Sequence, residues 1–60
     1  MTKERASMYC TAIANISCYY FDAGKYVAIK YDFTDENGCH WFLCNEKVMY
    51  PEHHLTHFCL

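Results

Sequence analysis

The chain has little proline or glycine and no long apolar run. One proline and two glycines occur in 60 residues. No stretch of about 18 uncharged apolar residues could span a membrane, and residues 1–5 lack the apolar core of a signal peptide. The sequence therefore predicts a soluble protein without a membrane partner, which stays in the compartment where it is made.

Positive charge is also scarce. Five Lys and Arg stand against seven Asp and Glu, for a net charge of −2. Sequence-independent nucleic-acid binding needs several basic contacts to phosphates, so nucleic acid is not an expected partner. A chain this short supports one core and one domain, and with 53% apolar and 18% aromatic residues that core can be rich.

Alternation of apolar and polar residues predicts mostly β-structure. Residues 26–33 form the clearest strand, with Val27, Ile29, Tyr31 and Phe33 expected on one face. Turn signals at 34–38 and 45–47 predict two hairpins, and Asn37-Gly38 suits the positive φ angles of a tight turn. The returning strands are 39–44 and 48–50, followed by a helical turn at 51–54 and a last strand at 55–58.

These elements predict a mainly β fold, a five-stranded partly open barrel with a short helical turn near the C-terminus. Residues 1–7 are expected to be a flexible N-terminus and 8–60 a single domain. Residues 8–16 fit a strand or a helix, and we expect a strand because the rest of the chain is β and needs a first strand to pair with. The alternative is a helix there, which would give an α+β module with an N-terminal helix on a three-stranded antiparallel sheet. The expected core contains Val27, Ile29, Phe33, Trp41, Leu43, Met49, Leu55 and Phe58.

Five cysteines and four histidines raise the question of a metal site. Free cysteine commonly packs as a small apolar residue, so our first interpretation has no cofactor. Extended backbone would put Cys39 and Cys44 roughly 16 Å apart, too far for one metal ion. The alternative is a structural zinc site, with the ligands Cys44, His53, His57 and Cys59.

Catalytic motifs are absent, and aromatic side chains give the better indication of function. Cys39 and His40 are adjacent, but neighbours on a strand point to opposite faces, so we expect no enzyme. Aromatic residues beyond the needs of the core would be partly exposed and could contact another protein. These candidate protein-binding residues are Tyr19, Tyr20, Phe21, Tyr31 and Tyr50. A homodimer through such residues, or through an edge strand, is also considered.

The order of the motifs resembles SH3-like domains. Trp41-Phe42 after the acidic loop is similar to the paired aromatics of that fold, and residues 50–55 are similar to its helical turn. The layout over residues 8–58 resembles small uncharacterised SH3-like proteins of bacteriophages, including early-region products of temperate phages. The resemblance implies a non-enzymatic accessory protein in the host bacterial cytoplasm that binds a host or phage protein during phage development. Recognition of proline-rich peptides is not implied, because His54 replaces the groove tyrosine. The alternative is a small zinc-stabilised domain that contacts nucleic acid or a transcription factor.

Overall fold

A computed structural model describes residues 1–15 and 24–60. The described elements are one α-helix, one 3-10 turn and five strands. In chain order they are α1 (Lys3–Met8), β1 (Thr11–Ala14), β2 (Tyr26–Thr34), β3 (His40–Cys44), β4 (Val48–Pro51), the 3-10 turn Glu52–His54 and β5 (Leu55–Cys59). No helix in these residues is long and apolar enough to cross a membrane.

The five described strands form one antiparallel sheet in the order β4-β3-β2-β1-β5. The sheet is not closed, since β4 and β5 lie at its two ends. The long strand β2 pairs with β1 through its first residues and with β3 through the rest. The prediction of a mainly β fold with five strands and a short helical turn near the C-terminus is confirmed.

The N-terminal helix was not expected. Lys3–Met8 occupies most of the segment predicted to be a flexible start, while β1 begins only at Thr11. Thr2 caps the helix, because its hydroxyl accepts a hydrogen bond from the Arg5 N–H at 3.2 Å. Ala6 is fully buried in the core cluster. The three-stranded alternative is wrong in its strand count, although a short helix does precede the sheet.

A bulge in β2 changes which face its side chains occupy. Tyr31 lies opposite Phe42 and Phe33 lies opposite Trp41, so the register shifts at Asp32. An extra residue reverses the alternation beyond it. Phe33 therefore leaves the face of Val27 and Ile29 and is 46% exposed. The prediction that these side chains share one face is wrong for Phe33.

The core lies on the face of the sheet that α1 covers. Its buried apolar residues are Ala6, Ala12, Ala14, Val27, Ile29, Phe42, Cys44, Tyr50 and Leu55. Phe58 packs against them, with its ring centroid 5.4 Å from that of Phe42. Val27, Ile29 and Leu55 are in the core as predicted. Phe33, Trp41, Leu43 and Met49 are not among its buried residues.

Both described hairpin turns contain residues with positive φ. Gly38 has φ +83°, but Asn37 does not have the positive φ that the sequence predicted. The next turn places Asn45 (φ 52°) and Glu46 (φ 59°) in the left-handed region, and the Lys47 N–H donates to the Cys44 carbonyl at 3.1 Å. Two successive positive φ angles are typical of a type I′ turn.

A second bulge lies in β5. Ile13 pairs with Thr56 and Thr11 with Cys59, so two residues of β5 face one of β1. His57 takes up the irregularity with φ 56°. The extra residue turns Phe58 toward the side on which Leu55 is buried.

Candidate interaction surface

The face of β2, β3 and β4 that points away from the core is apolar. We call it the outer face and define it as Lys30, Phe33, Trp41, Leu43, Met49 and Pro51. Directly paired residues share a face of a sheet, and the register arranges these six in two rows. The first row is Phe33, Trp41 and Pro51, and the second row is Lys30, Leu43 and Met49. Only Lys30 in this set is charged.

Burial along β3 separates the two faces. His40, Phe42 and Cys44 are buried, whereas Trp41 and Leu43 are half-buried. Met49, opposite Leu43, is also half-buried, and Pro51, opposite Trp41, is buried. Apolar side chains thus stay in contact with solvent next to one another across three strands, which is typical of a contact surface.

An aromatic pair lies on the outer face. The rings of Phe33 and Trp41 are stacked, with centroids 6.0 Å apart and planes only 1° from parallel. The Trp41 Nε1–H donates to Asp35 Oδ2 at 3.0 Å. Asp35 Oδ1 accepts from the N–H groups of Asn37 and Cys39, both at 2.9 Å. One carboxylate therefore shapes the hairpin and fixes the indole.

The pKa of Asp35 reflects this role. The hydrogen bond from the Trp41 indole, followed by that from the Cys39 N–H, lowers the pKa of the carboxyl below its ordinary value. Hydrogen bonds to an ionised carboxylate favour the charged form. Asp35 therefore remains an anion beside Trp41 at neutral pH.

Charge is unevenly distributed around the outer face. Asp32, Asp35 and Glu36 follow or flank Phe33 at the tip of the β2–β3 hairpin. Lys30 lies in the second row, opposite Leu43. The end of the face beside the aromatic pair is acidic, and the basic side chain lies toward the other end.

Of the residues predicted to bind protein, the two that the structure describes do not lie on the outer face. Tyr31 is half-buried on the core side, where its ring makes edge-to-face contacts with Phe42 and His40 and its hydroxyl lies 2.7 Å from Thr34 Oγ1. Tyr50 is only 8% exposed, so the expectation that it is exposed is wrong. Its pairing with Phe42 places it on the core face. Tyr19, Tyr20 and Phe21 lie outside the described residues, and their role stays a prediction.

His40 is a buried polar residue, and the sequence analysis did not predict its burial. It is 4% exposed. Its Nε2 lies 2.7 Å from the Met1 carbonyl, which can only accept, so Nε2 carries the hydrogen. Its Nδ1 lies 2.7 Å from Thr34 Oγ1. Both ring nitrogens are hydrogen-bonded, and the ring is not paired with the Cys39 thiol, which points to the His40 carbonyl at 3.8 Å.

The alternative zinc ligands are not brought together. Cys44 is fully buried in the core, whereas His53 and His57 are exposed and Cys59 is half-buried. The Cys59 thiol lies 3.5 Å from the His57 carbonyl. Within residues 1–15 and 24–60, no three His, Cys, Asp or Glu side chains form a group that could hold a metal ion.

Comparison with protein-family models, curated proteins and solved structures found no match.

The sequence missed the outer face because Trp41, Leu43 and Met49 were expected in the core. The unbroken apolar run 41–44 was the available signal, since a half-buried strand alternates while a strand with two apolar faces does not.

Proposed function

We propose that this protein is a non-enzymatic protein-interaction module that docks another protein on its outer face. The observation that carries the proposal is the stacked pair of Phe33 and Trp41, in which Phe33 is 46% exposed. Aromatic residues dominate binding energy at protein interfaces, because they bury a large area with few rotatable bonds. Asp35 holds the indole before a partner arrives, which reduces the entropy lost on binding.

The surface also indicates the chemistry of its partner. Apolar side chains must cover Phe33 and Trp41, and basic groups would complement Asp32 and Glu36 beside them. His40 supports a function without catalysis, since its ring nitrogens bond to Thr34 and Met1 rather than to a thiol.

A finer assignment is part of the same proposal. The strand order β4-β3-β2-β1-β5 with a 3-10 turn before β5 supports an SH3-like fold. The resemblance of the motifs to phage SH3-like proteins supports a phage accessory protein, which acts on a host or phage protein in the bacterial cytoplasm.

Site-specific photo-crosslinking in bacterial cells tests the docking function. A photoreactive phenylalanine analogue at position 33 should give a discrete adduct with one protein, which mass spectrometry identifies. The same analogue at Tyr26 is the control, because Tyr26 is 60% exposed and lies seven residues away along β2, about 23 Å. Leu43→Asp in the crosslinking variant should abolish the adduct.

The identified partner is then purified and titrated against the protein. We expect Phe33→Ala to weaken binding by about tenfold or more, as loss of an aromatic anchor does. Equal adducts from positions 33 and 26, or none from 33, would contradict the proposal.

A further inference from the structure

We propose that a second copy of this chain occupies the outer face when no other partner is bound, so that the free protein is a weak homodimer. The regulatory consequence rests on the proposed function: dissociation of the dimer would expose the docking surface, and a partner protein would compete with the second copy.

The outer face is complementary to itself under a two-fold rotation. Its two rows lie two residues apart along β3, about 7 Å. An axis that runs between the rows and across the strands would place the first row of one copy over the second row of the other. Trp41 would then lie over Leu43, and an aromatic ring would meet an aliphatic side chain twice in the dimer.

The same rotation matches the charges. Phe33 of one copy would lie over Lys30 of the other, beside the exposed carboxylate of Asp32. An ammonium group is attracted both by the face of an aromatic ring and by a carboxylate. Because the axis is two-fold, the contact occurs twice. The acidic end of each face thus meets the basic side chain of the other.

The size of the face sets the strength of the dimer. A standard stable interface buries about 800 Å² on each partner, which would be a fifth of the 4041 Å² that this protein exposes. Six residues on three strands supply less than that. We therefore expect dissociation constants in the micromolar to submillimolar range, weak enough for a partner with a larger footprint to displace the second copy.

The test is sedimentation equilibrium together with tryptophan fluorescence, from about 1 μM to about 1 mM protein. Trp41 is the only tryptophan in the chain, so its emission reports directly on the outer face. We expect the mass to rise toward that of a dimer while the emission shifts to shorter wavelength over the same concentration range.

Charge reversal identifies the contact. Lys30→Glu and Asp32→Lys should each weaken the dimer by about tenfold, because each removes two attractions and creates two repulsions. The double variant, which exchanges the charges, should recover most of the affinity. Lys3→Glu, an equal charge reversal on the exposed side of α1, should leave the dimer unchanged. Circular dichroism of each variant checks that it is folded.

The outcomes separate this inference from the proposed function. A monomer throughout the concentration range, or a dimer that neither charge reversal weakens, overturns self-association at this face. An adduct with another protein at position 33 would still support the docking function in that case. A dimer whose affinity falls in both single variants and returns in the double variant supports the inference.

Discussion

Substitution of one glutamate by glycine should have opposite effects on stability in the two hairpin turns. The stabilising substitution lies in the turn between β3 and β4. Glu46 is exposed and has φ 59°. A residue with a Cβ in the left-handed region costs roughly 1–2 kcal/mol, because Cβ crowds the following carbonyl. Glycine does not have this cost. Glu46→Gly should therefore remove backbone strain without removing a buried contact.

The net gain is smaller than the strain, because glycine also gives the unfolded chain more freedom. That effect costs about 0.4–1 kcal/mol. The difference leaves a stabilisation of about 0.5–1 kcal/mol. For a domain of this size, 1 kcal/mol corresponds to a Tm change of about 4–8 °C, so we expect Tm to rise by about 3–6 °C in a circular dichroism melt.

Glu36→Gly is the matched control. Glu36 is also an exposed glutamate in a hairpin turn, but it does not have a positive φ. The substitution removes the same charge and adds the same freedom to the unfolded chain, without relief of strain. We expect a loss of about 0.4–1 kcal/mol. Equal Tm changes in the two variants, or a lower Tm for Glu46→Gly, would refute the reasoning from backbone strain.

Three further results are expected. Asp35 has a lowered pKa in the folded state, so its contribution to stability is present above the unfolded pKa of about 3.9 and is lost as pH falls through the folded pKa. Asp35→Asn should therefore be less stable than the wild type at neutral pH. In urea titrations, the difference in unfolding free energy between the two proteins should disappear below about pH 4. Phe42 is fully buried, and Phe42→Ala should cost about 3–5 kcal/mol, comparable to the total stability of about 3–9 kcal/mol for a chain of this length. Leu43→Ala, on the outer face, should cost about 1 kcal/mol because less burial is lost. If urea unfolding showed similar losses of stability for the two variants, the assignment of the two faces would be wrong. Cys10 is exposed and Cys44 is fully buried, so mass spectrometry should find that native Cys10 reacts with a thiol reagent long before Cys44, and rapid labelling of Cys44 would place it outside the core.

The strands and their order along the chain could be predicted from the sequence because turn residues separate them. Asn37-Gly38 and residues 45–47 mark the two hairpins, and Pro51 marks the 3-10 turn, although it ends β4 and the turn itself is Glu52–His54. The helix at the N-terminus was missed because residues 3–8 carry little apolar periodicity. It is held by the Thr2 cap, which is a local hydrogen bond, and by burial of the single residue Ala6. Only the burial is a tertiary effect that a short polar segment does not reveal.

The candidate surface could not be predicted, for a reason specific to β3. Residues 40–44 contain no polar and apolar alternation that fixes the phase of the strand. Either Trp41 and Leu43 or Phe42 and Cys44 could face the core, and a shift of one residue exchanges the two sets. The bulge at Asp32 adds the same ambiguity to β2, since it moves Phe33 to the face opposite Ile29.

Small side chains in the core account for the apolar residues left outside. Ala6, Ala12 and Ala14 are fully buried, so α1 and β1 add little side-chain volume to the core. A closely packed interior has no space for additional rings, and Phe42 and Tyr50 already occupy the core face. Trp41 and its neighbours therefore remain on the outer face even though a domain of 60 residues gains from every apolar group that it buries. The hydrogen bond from the indole to Asp35 Oδ2 holds the Trp41 ring in place on that face.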